Sequence, residues 1–412
     1  MRKTLTFFYN FFNIRSLDKT NLQDIETSLS FWLSEIPNIV EKIQDITQPP
    51  ALRASLADGL ANIGVHVFEK LEHQKQILLI SILTGCSYDD DSSVKSSAIR
   101  ALAVYVLFPS LRTDLCFVEN TIESILRIIK DPNVLQRTKA SWALGNVVDA
   151  LLIVKNTQMV NEKLLKQIFE TSLEATNDND RVKMNAVRII GNLFTLLNRE
   201  HLADNSWLKL FQDSVQSLHS LLLNCGNVKV KWNVCYSFAS LMKNSILFTP
   251  ELKLKWQDLV FPALCSTIRT SPNFKVRINA CIAFTIPNRE HFGGFFIEIW
   301  CCLLAALEQS NNLTDFNEYK HRDTLQDQLC LSICHILTIA TSDDVIPMKN
   351  EVFPLIDITK QNWNRVFNRW LPECQGKILT AAESLKIIPC KSSEHRNSIE
   401  ILVSCFKPLD QF

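Results

Sequence analysis

The chain has 412 residues, with 43 basic and 43 acidic side chains and only nine glycines. That length is too great for one ordinary core and calls for several domains or a repeat array. Zero formal charge speaks against a dedicated nucleic-acid binder, and no Gly-rich phosphate loop is present. Thirteen scattered cysteines without framework spacing read as reduced thiols.

The opening stretch, MRKTLTFFYNFFNI, has a signal-peptide flavour, but Asn10 and Asn13 interrupt its apolar run and no small-residue cleavage pattern follows. Residues 1–15 are therefore set aside as a poorly determined leader. No run approaches the roughly 18 apolar residues of a membrane span, so the expected setting is intracellular, cytoplasmic or nuclear, with no membrane.

From residue 16 onward one frame recurs. Taking Val230 as position zero, offsets 0, +4, +8 and +11 carry Val230, Val234, Phe238 and Leu241. Upstream the same offsets give Leu52, Leu56, Leu60, Ile63, then Val94, Ala98, Leu102, Tyr105. Gln136, Ala140, Leu144, Val147 follow, then Val182, Ala186, Ile190, Leu193. Downstream come Val276, Ala280, Phe284, Pro287, then Leu325, Leu329, Ile333, Ile336, and weakly Lys377, Ala381, Leu385. The zero positions lie 42, 42, 46, 48, 46, 49 and 52 residues apart, the period of HEAT and armadillo repeats with slightly long loops near the end. At about 100° per residue the four offsets share one helix face.

A second amphipathic segment precedes each copy, as in VENTIESILRIIK and WLKLFQDSVQSLHSLLL. Each unit is thus a helical hairpin, A then B, whose apolar face needs a neighbour to cover it. The expectation is an all-α, right-handed α-α superhelix of about eight hairpins. It forms one solenoid over residues 16–412, continuous with further repeats if the chain belongs to a longer array. DPN at 131–133, NDND at 177–180 and SPN at 271–273 supply caps and entry prolines before B helices. Position +9 is small in Ala61, Ala103, Gly145, Gly191 and Ala239, which lets helices approach closely.

QRTKASWALGNVVDALL, VKVKWNVCYSFASLM and NFKVRINACIAFTIPNRE, followed by IWCCLLAALEQSNNLTDFNEYKHRDTLQDQLC, resemble in order the C-terminal part of the HEAT repeat-containing protein 6 family. The likeness covers residues from about 50 to about 345. The resemblance implies a HEAT-repeat architecture with no assigned catalytic activity or defined ligand.

Two stripes carry candidate chemistry. A basic residue fills +1 in Arg53, Lys95, Arg137, Lys183, Lys231 and Arg277. It is expected to form a structural ladder with Asp91, Asp131, Asp180, Asn227 and Asn273 in preference to a surface for nucleic-acid backbone. The second stripe, at +3, +6 and +10, holds Asn185, Asn233 and Asn279, then Arg100, Trp142, Arg188 and Tyr236, then Asn62, Asn146 and Asn192. Trp-x-x-x-Asn in SWALGN resembles the arrangement with which armadillo proteins bind extended peptides. Amides offer donor and acceptor together, and an aromatic face attracts cations. The candidate partner-binding set is Trp142, Asn146, Arg188, Asn192, Asn233 and Tyr236, with acidic or mixed-charge partners favoured.

CLSICH (Cys330, Cys334, His335) lacks the spacing for haem attachment or zinc, and its cysteines are expected to be core filler. Asp315, Glu318, His321 and Asp323 cluster near a helix start and are expected to be a solvated loop with capping acids. Dispersed histidines give no nucleophile and base arrangement. No catalytic, cofactor or metal residue is expected. The expected function is non-enzymatic recognition of a protein partner on the B-helix face. The alternatives are a nucleic-acid-associated repeat protein using the basic ladder, or a carrier of extended peptides.

Overall fold

The computed structural model describes residues 22–154, 160–310 and 316–408. These residues are helical, with no strand among them. They separate into two compact units, one ending at Leu196 and the other beginning at Leu197, and each is a row of four helical hairpins.

In the first unit the A and B helices are α1 (Leu22–Gln44) and α2 (Pro50–Leu60), α3 (His73–Cys86) and α4 (Ser92–Tyr105), α5 (Leu115–Ile128) and α6 (Val134–Val154), α7 (Glu162–Ala175) and α8 (Asp180–Phe194). Along the B row, α4 packs on α2, α6 on α4 and α8 on α6. In the second unit the pairs are α9 (Asn205–Asn224) and α10 (Val228–Met242), α11 (Gln257–Thr270) and α12 (Phe274–Ala283), α13 (Phe296–Gln309) and α14 (Phe316–Ile339). An additional helix, α15 (Ser342–Val352), intervenes before the last pair, α16 (Ile356–Arg369) and α17 (Pro372–Lys386). Helix α18 (Ser393–Phe406) covers α15, α16 and α17. The leader over residues 1–15 lies outside the described residues.

Local chemistry starts five of the B helices, α4, α6, α8, α10 and α12, at the same step. Three residues before position zero, the side chains of Asp91, Asn179, Asn227 and Asn273 accept backbone N–H groups of the first turn. Asn133 likewise accepts from Leu135 N at 2.9 Å. Such caps satisfy donors that the helix itself leaves open, and removing one costs typically about 1 kcal/mol. Offsets 0, +4, +8 and +11 are then buried in every copy through Ile336, with Leu52 the exception at 38% exposed. In the eighth copy Lys377 is exposed and Ile378 is buried beside Ala381 and Leu385, a slip of one residue at the first position. The small +9 residues are buried where neighbouring B helices meet.

The +1 ladder is structural, but most of its bonds go to partners other than those read from the sequence. Arg53 donates to the Ile43 carbonyl at 2.9 Å, Lys231 to Leu223 O at 3.1 Å and Arg277 to Ile268 O at 2.7 Å. Each carbonyl lies in the last turn of its own A helix, where oxygens lack intrahelical donors and the helix dipole favours a cation. Arg53 also pairs with Asp89, and Arg137 grips Asp178 through two bonds of 2.6 and 2.8 Å while donating to the Asp131 and Pro132 carbonyls. Asp91, Asn227 and Asn273 cap helices, while Lys183 with Asp180, 3.8 Å apart, and Arg137 with Asp131, through its carbonyl, follow the expected pairing. Cys330 and Cys334 are buried core residues, as the spacing implied.

By length and composition alone, residues 289–309 reach the range of a bilayer-crossing helix, with mean hydropathy 1.4, which the sequence reading missed. In the fold, Gly293 at φ 51° interrupts that stretch. Phe296, Ile299, Trp300, Leu303 and Leu307 are buried within the second unit, so the stretch is packed there as a core helix.

Candidate functional site

In the first unit four successive B helices shape one groove of about 970 Å³. Helices α2 and α4 contribute small residues, among them Ala54, Ser55 and Ser97, which leave the floor low. Helices α6 and α8 raise the opposite wall with Lys139, Trp142, Arg181 and Met184.

Trp142 lies on this wall, half-buried, where the +6 stripe placed it. Its indole N–H has no acceptor among the described residues. Arg100 and Arg188 occupy +6 on either side, yet neither stacks on the ring. Arg100 turns to Asp58 of the preceding hairpin at 2.8 Å, and Arg188 to Asp149 at 2.5 Å. Burial raises the Asp149 carboxyl above its ordinary range, and the bonds from Arg188 and Asn192 pull it only part of the way back.

Two of the predicted asparagines have a different job. Asn146 is 6% exposed and its Nδ2 donates to the Ala103 carbonyl at 3.1 Å, while its Oδ1 accepts from Arg188 at 3.3 Å. Asn192 is 4% exposed and donates to Asp149 Oδ1 at 2.7 Å. Both are struts between adjacent B helices: the close approach at Ala103 and Gly145 draws the +10 amides inside. Asn146, Arg188 and Asn192 therefore hold the wall of the site instead of facing a ligand.

Asn233 and Tyr236 belong to the second unit. Asn233 is half-buried and its carbonyl accepts from Ser237 Oγ at 2.8 Å. Tyr236 is 44% exposed, with Lys243 Nζ 5.9 Å from its ring centroid. Trp232, one turn earlier and not singled out in the sequence, has Lys275 Nζ 5.0 Å from its ring centroid. The second unit also has its own groove, about 650 Å³, between α12, α14 and α17, lined by Ile282, Leu331, His335, Thr338 and Lys377 among others.

Asp58, Lys139, Arg181 and Met184 were missed by the stripe argument. A signal was available: Asp58 is the +6 residue of the first copy, and Lys139 fills +3, the column read as asparagine elsewhere.

His335 Nε2 lies 2.8 Å from the Pro287 carbonyl, and burial lowers its pKa, with that bond opposing. Burial pushes the Cys334 thiol up to about 12 and the Cys330 thiol well above its usual value, so neither is a thiolate near neutral pH. Among the described residues no group of three or more His, Cys, Asp or Glu side chains is placed to hold a metal ion. Asp315 and the side chain of Glu318, from the acidic cluster read in the sequence, lie outside the described residues.

No protein-family model matches the chain. An uncharacterised protein of Dictyostelium discoideum is 23% identical over 465 aligned positions, which cover 85% of this chain and 30% of the relative. The chain thus spans about a third of that relative's length. Among solved structures, an engineered protein gives a TM-score of 0.51 at 14% identity, covering 98% of this chain and 95% of its own. Importin beta gives 0.50 at 10% identity, covering 98% of this chain and 56% of its own. A designed armadillo repeat protein gives 0.44 at 18% identity, covering 62% of this chain and all of its own. At these identities the likeness is one of fold: the chain has an all-α repeat fold of the HEAT/armadillo type.

Proposed function

We propose that this chain is a non-catalytic recognition scaffold that presents the B-helix faces of its hairpins to protein partners. Within the first unit, the contact is made in the groove beneath Trp142. One observation supports this above the others. Four consecutive repeats contribute side chains to a single concavity that mixes an aromatic ring, aliphatic surface, hydroxyls and charges, the composition that suits binding in a largely pre-formed cleft. Binding energy in such a site concentrates on a few large anchors, and Trp142 is the residue of that kind here. The quoted segments also support the finer kinship, with the C-terminal part of the HEAT repeat-containing protein 6 family, as part of the same reading.

The test is selection of a random linear-peptide display library on the purified chain and on Trp142→Ala. The expected result is enrichment on the wild type that disappears with Trp142→Ala while its thermal unfolding is unchanged. No enrichment, or enrichment indifferent to Trp142, would defeat the reading. Asn146→Ala is a poor probe of binding because that side chain holds two hairpins together.

A further inference from the structure

The groove of the second unit runs along its helices, whereas that of the first crosses four of them. Its floor is one side of α14, where Gln328, Leu331, His335 and Thr338 succeed one another over about 15 Å, or roughly three turns. Helix α17 walls it with Glu373, Gly376, Lys377 and Thr380. The end of α12 closes the other side with the exposed Ile282 and, just beyond the helix, Thr285.

Most hydrogen-bond donors of this trough are already used. The hydroxyls of Thr285, Thr338 and Thr380 donate to the Ile282, Cys334 and Gly376 carbonyls at 2.8, 2.8 and 2.9 Å. His335 Nε2 is held by the Pro287 carbonyl. Among the described residues the Gln328 amide has no such bond. An extended segment laid along this floor would bring about four or five residues, each with an N–H and a C=O in need of a partner. One amide cannot serve them. An α-helix arrives with those groups already paired and presents side chains alone.

The α17 wall supplies room and charge. Gly376 lies inside that helix, and a Cβ built there would meet no atom within 4 Å. Its φ is not positive. Glycine weakens a helix interior relative to alanine, and neither backbone conformation nor close packing requires it here. What it leaves is space beside the groove floor. Glu373 and Lys377 stand one turn apart on the same wall, both exposed, and neither side chain has a hydrogen bond or ion pair among the described residues.

From these features we infer that the second groove docks an amphipathic helix of a partner protein, about three turns long, laid along α14. Its apolar stripe covers Leu331 and Ile282, and one large side chain fills the space at Gly376. Beside that stripe a basic residue meets Glu373, and an acidic residue one turn away meets Lys377. A helix with charges of one sign would set one of those two residues against its like.

This site rests on the scaffold role proposed above, but it can fail separately. The probe is a library displayed on one exposed helix of a stable helical carrier, since isolated helices this short are marginal in water. Apolar residues are fixed at i, i+3, i+4 and i+7, and flanking positions vary among Glu, Lys and Gln. Selection on the full chain should enrich helices that set Lys and Glu one turn apart. These should bind at least about ten-fold more weakly to Gly376→Leu, which fills the wall. Glu373→Lys with Lys377→Glu should invert the order of Lys and Glu along the selected helices. Neither variant should lower thermal unfolding, because the added Leu meets open space and both charges are exposed.

No enrichment, or binding indifferent to Gly376→Leu, would overturn the site. Selected helices of one charge sign, or an order unmoved by the swap, would overturn the charge pairing. Equal binding by a proline-interrupted copy of a selected helix would overturn the helix in favour of an extended segment. Failure here beside Trp142-dependent enrichment of linear peptides would strike this site and leave the scaffold role standing.

Discussion

The two units use one hairpin frame and both join hairpins by ion pairs, but the second adds a different kind of joint. In the first, Arg53–Asp89, Arg100–Asp58, Arg137–Asp178 and Arg188–Asp149 each bridge neighbouring hairpins, and Asn146 and Asn192 add amide bonds beside them. In the second, Arg289–Asp344 and Arg369–Asp327 do the same, and indole N–H groups serve in addition at four places. Trp256 donates to Leu247 O at 2.9 Å, Trp300 to Met348 O at 3.1 Å, Trp363 to Phe406 O at 2.7 Å and Trp370 to Asp327 Oδ1 at 2.7 Å. Several of these acceptors lie at or near helix ends, where carbonyls need an outside donor, and an indole delivers one while filling the core. The concave surfaces differ as well. The first groove is walled by Lys139, Trp142, Arg181 and Met184, the second by Ile282, Leu331 and threonines together with His335, Glu373 and Lys377.

The largest expected effect comes from breaking an indole joint. Trp300 is fully buried, and its ring lies edge-on to Phe406 at 5.5 Å. Trp300→Ala should cost about 3–5 kcal/mol. Trp300→Phe keeps most of the volume and loses the bond to Met348 O, for about 1–3 kcal/mol. Hydrogen exchange read by mass spectrometry should place the lost protection within residues 296–369 and leave residues 73–194 protected. Equal loss in both units would refute a joint confined to the second.

A charged joint should respond less to truncation and differently to pH. Asp149→Ala removes the acceptor of Arg188 and of the buried Asn192 amide, and should destabilise the first unit by about 1–3 kcal/mol. Asp149→Asn should recover much of that. The pH signs also differ among the joints. Arg137 holds the Asp178 carboxyl below its ordinary value. Burial raises Asp344, but bonds from Arg289 and Thr341 outweigh it and leave that carboxyl lowered as well. Both therefore contribute stability present in full above about 3.8, the ordinary aspartate value, and lost as the pH falls through the lowered one. Asp149 is raised, so its contribution improves as the pH falls through its folded value. Urea unfolding between about pH 5 and pH 3 should show a flatter decline for Asp344→Asn and a steeper one for Asp149→Asn.

The repeat frame was legible because burial imposes a period. Val94 through Ile336 obey it since each B helix must hide the same face, whatever its neighbours. Leu52 departs from it, and near the chain end Lys377 yields its place to Ile378. The joints were less legible, because they depend on which neighbour a side chain meets across a repeat. Nothing in SWALGN says that Asn146 will be drawn onto the Ala103 carbonyl, nor that Arg188 will choose Asp149 over the Trp142 ring. The +1 arginines show the same limit: their role as ladder residues was readable, while their choice of A-helix carbonyls was not. The groove lining was half legible. Trp142 stood out as the only tryptophan in its column, but the low floor made by Ala54 and Ser97 is an absence of bulk, which a search for functional side chains overlooks.

The smallest expected effect sharpens the description of the charged joint itself. A Cβ added at Gly145 would sit 3.1 Å from Arg188 Nη2 and 3.2 Å from Cζ, so the guanidinium would have to move by a few tenths of an ångström. Against that, alanine inside a helix is favoured over glycine by about 1 kcal/mol. If the arginine yields freely, Gly145→Ala should raise stability by nearly that amount. If Asp149 and the Asn146 amide fix it, most of the gain should vanish. The bonds of 2.5 Å to Asp149 and 3.3 Å to Asn146 fix the guanidinium from two sides, so the expected net change is under about 0.5 kcal/mol. The double variant Gly145→Ala with Asp149→Ala releases Arg188 and should restore the propensity gain relative to Asp149→Ala alone. A double-mutant cycle by thermal or urea unfolding reads that coupling directly, and a cycle that closes additively would show that the charged joint does not constrain the arginine at all.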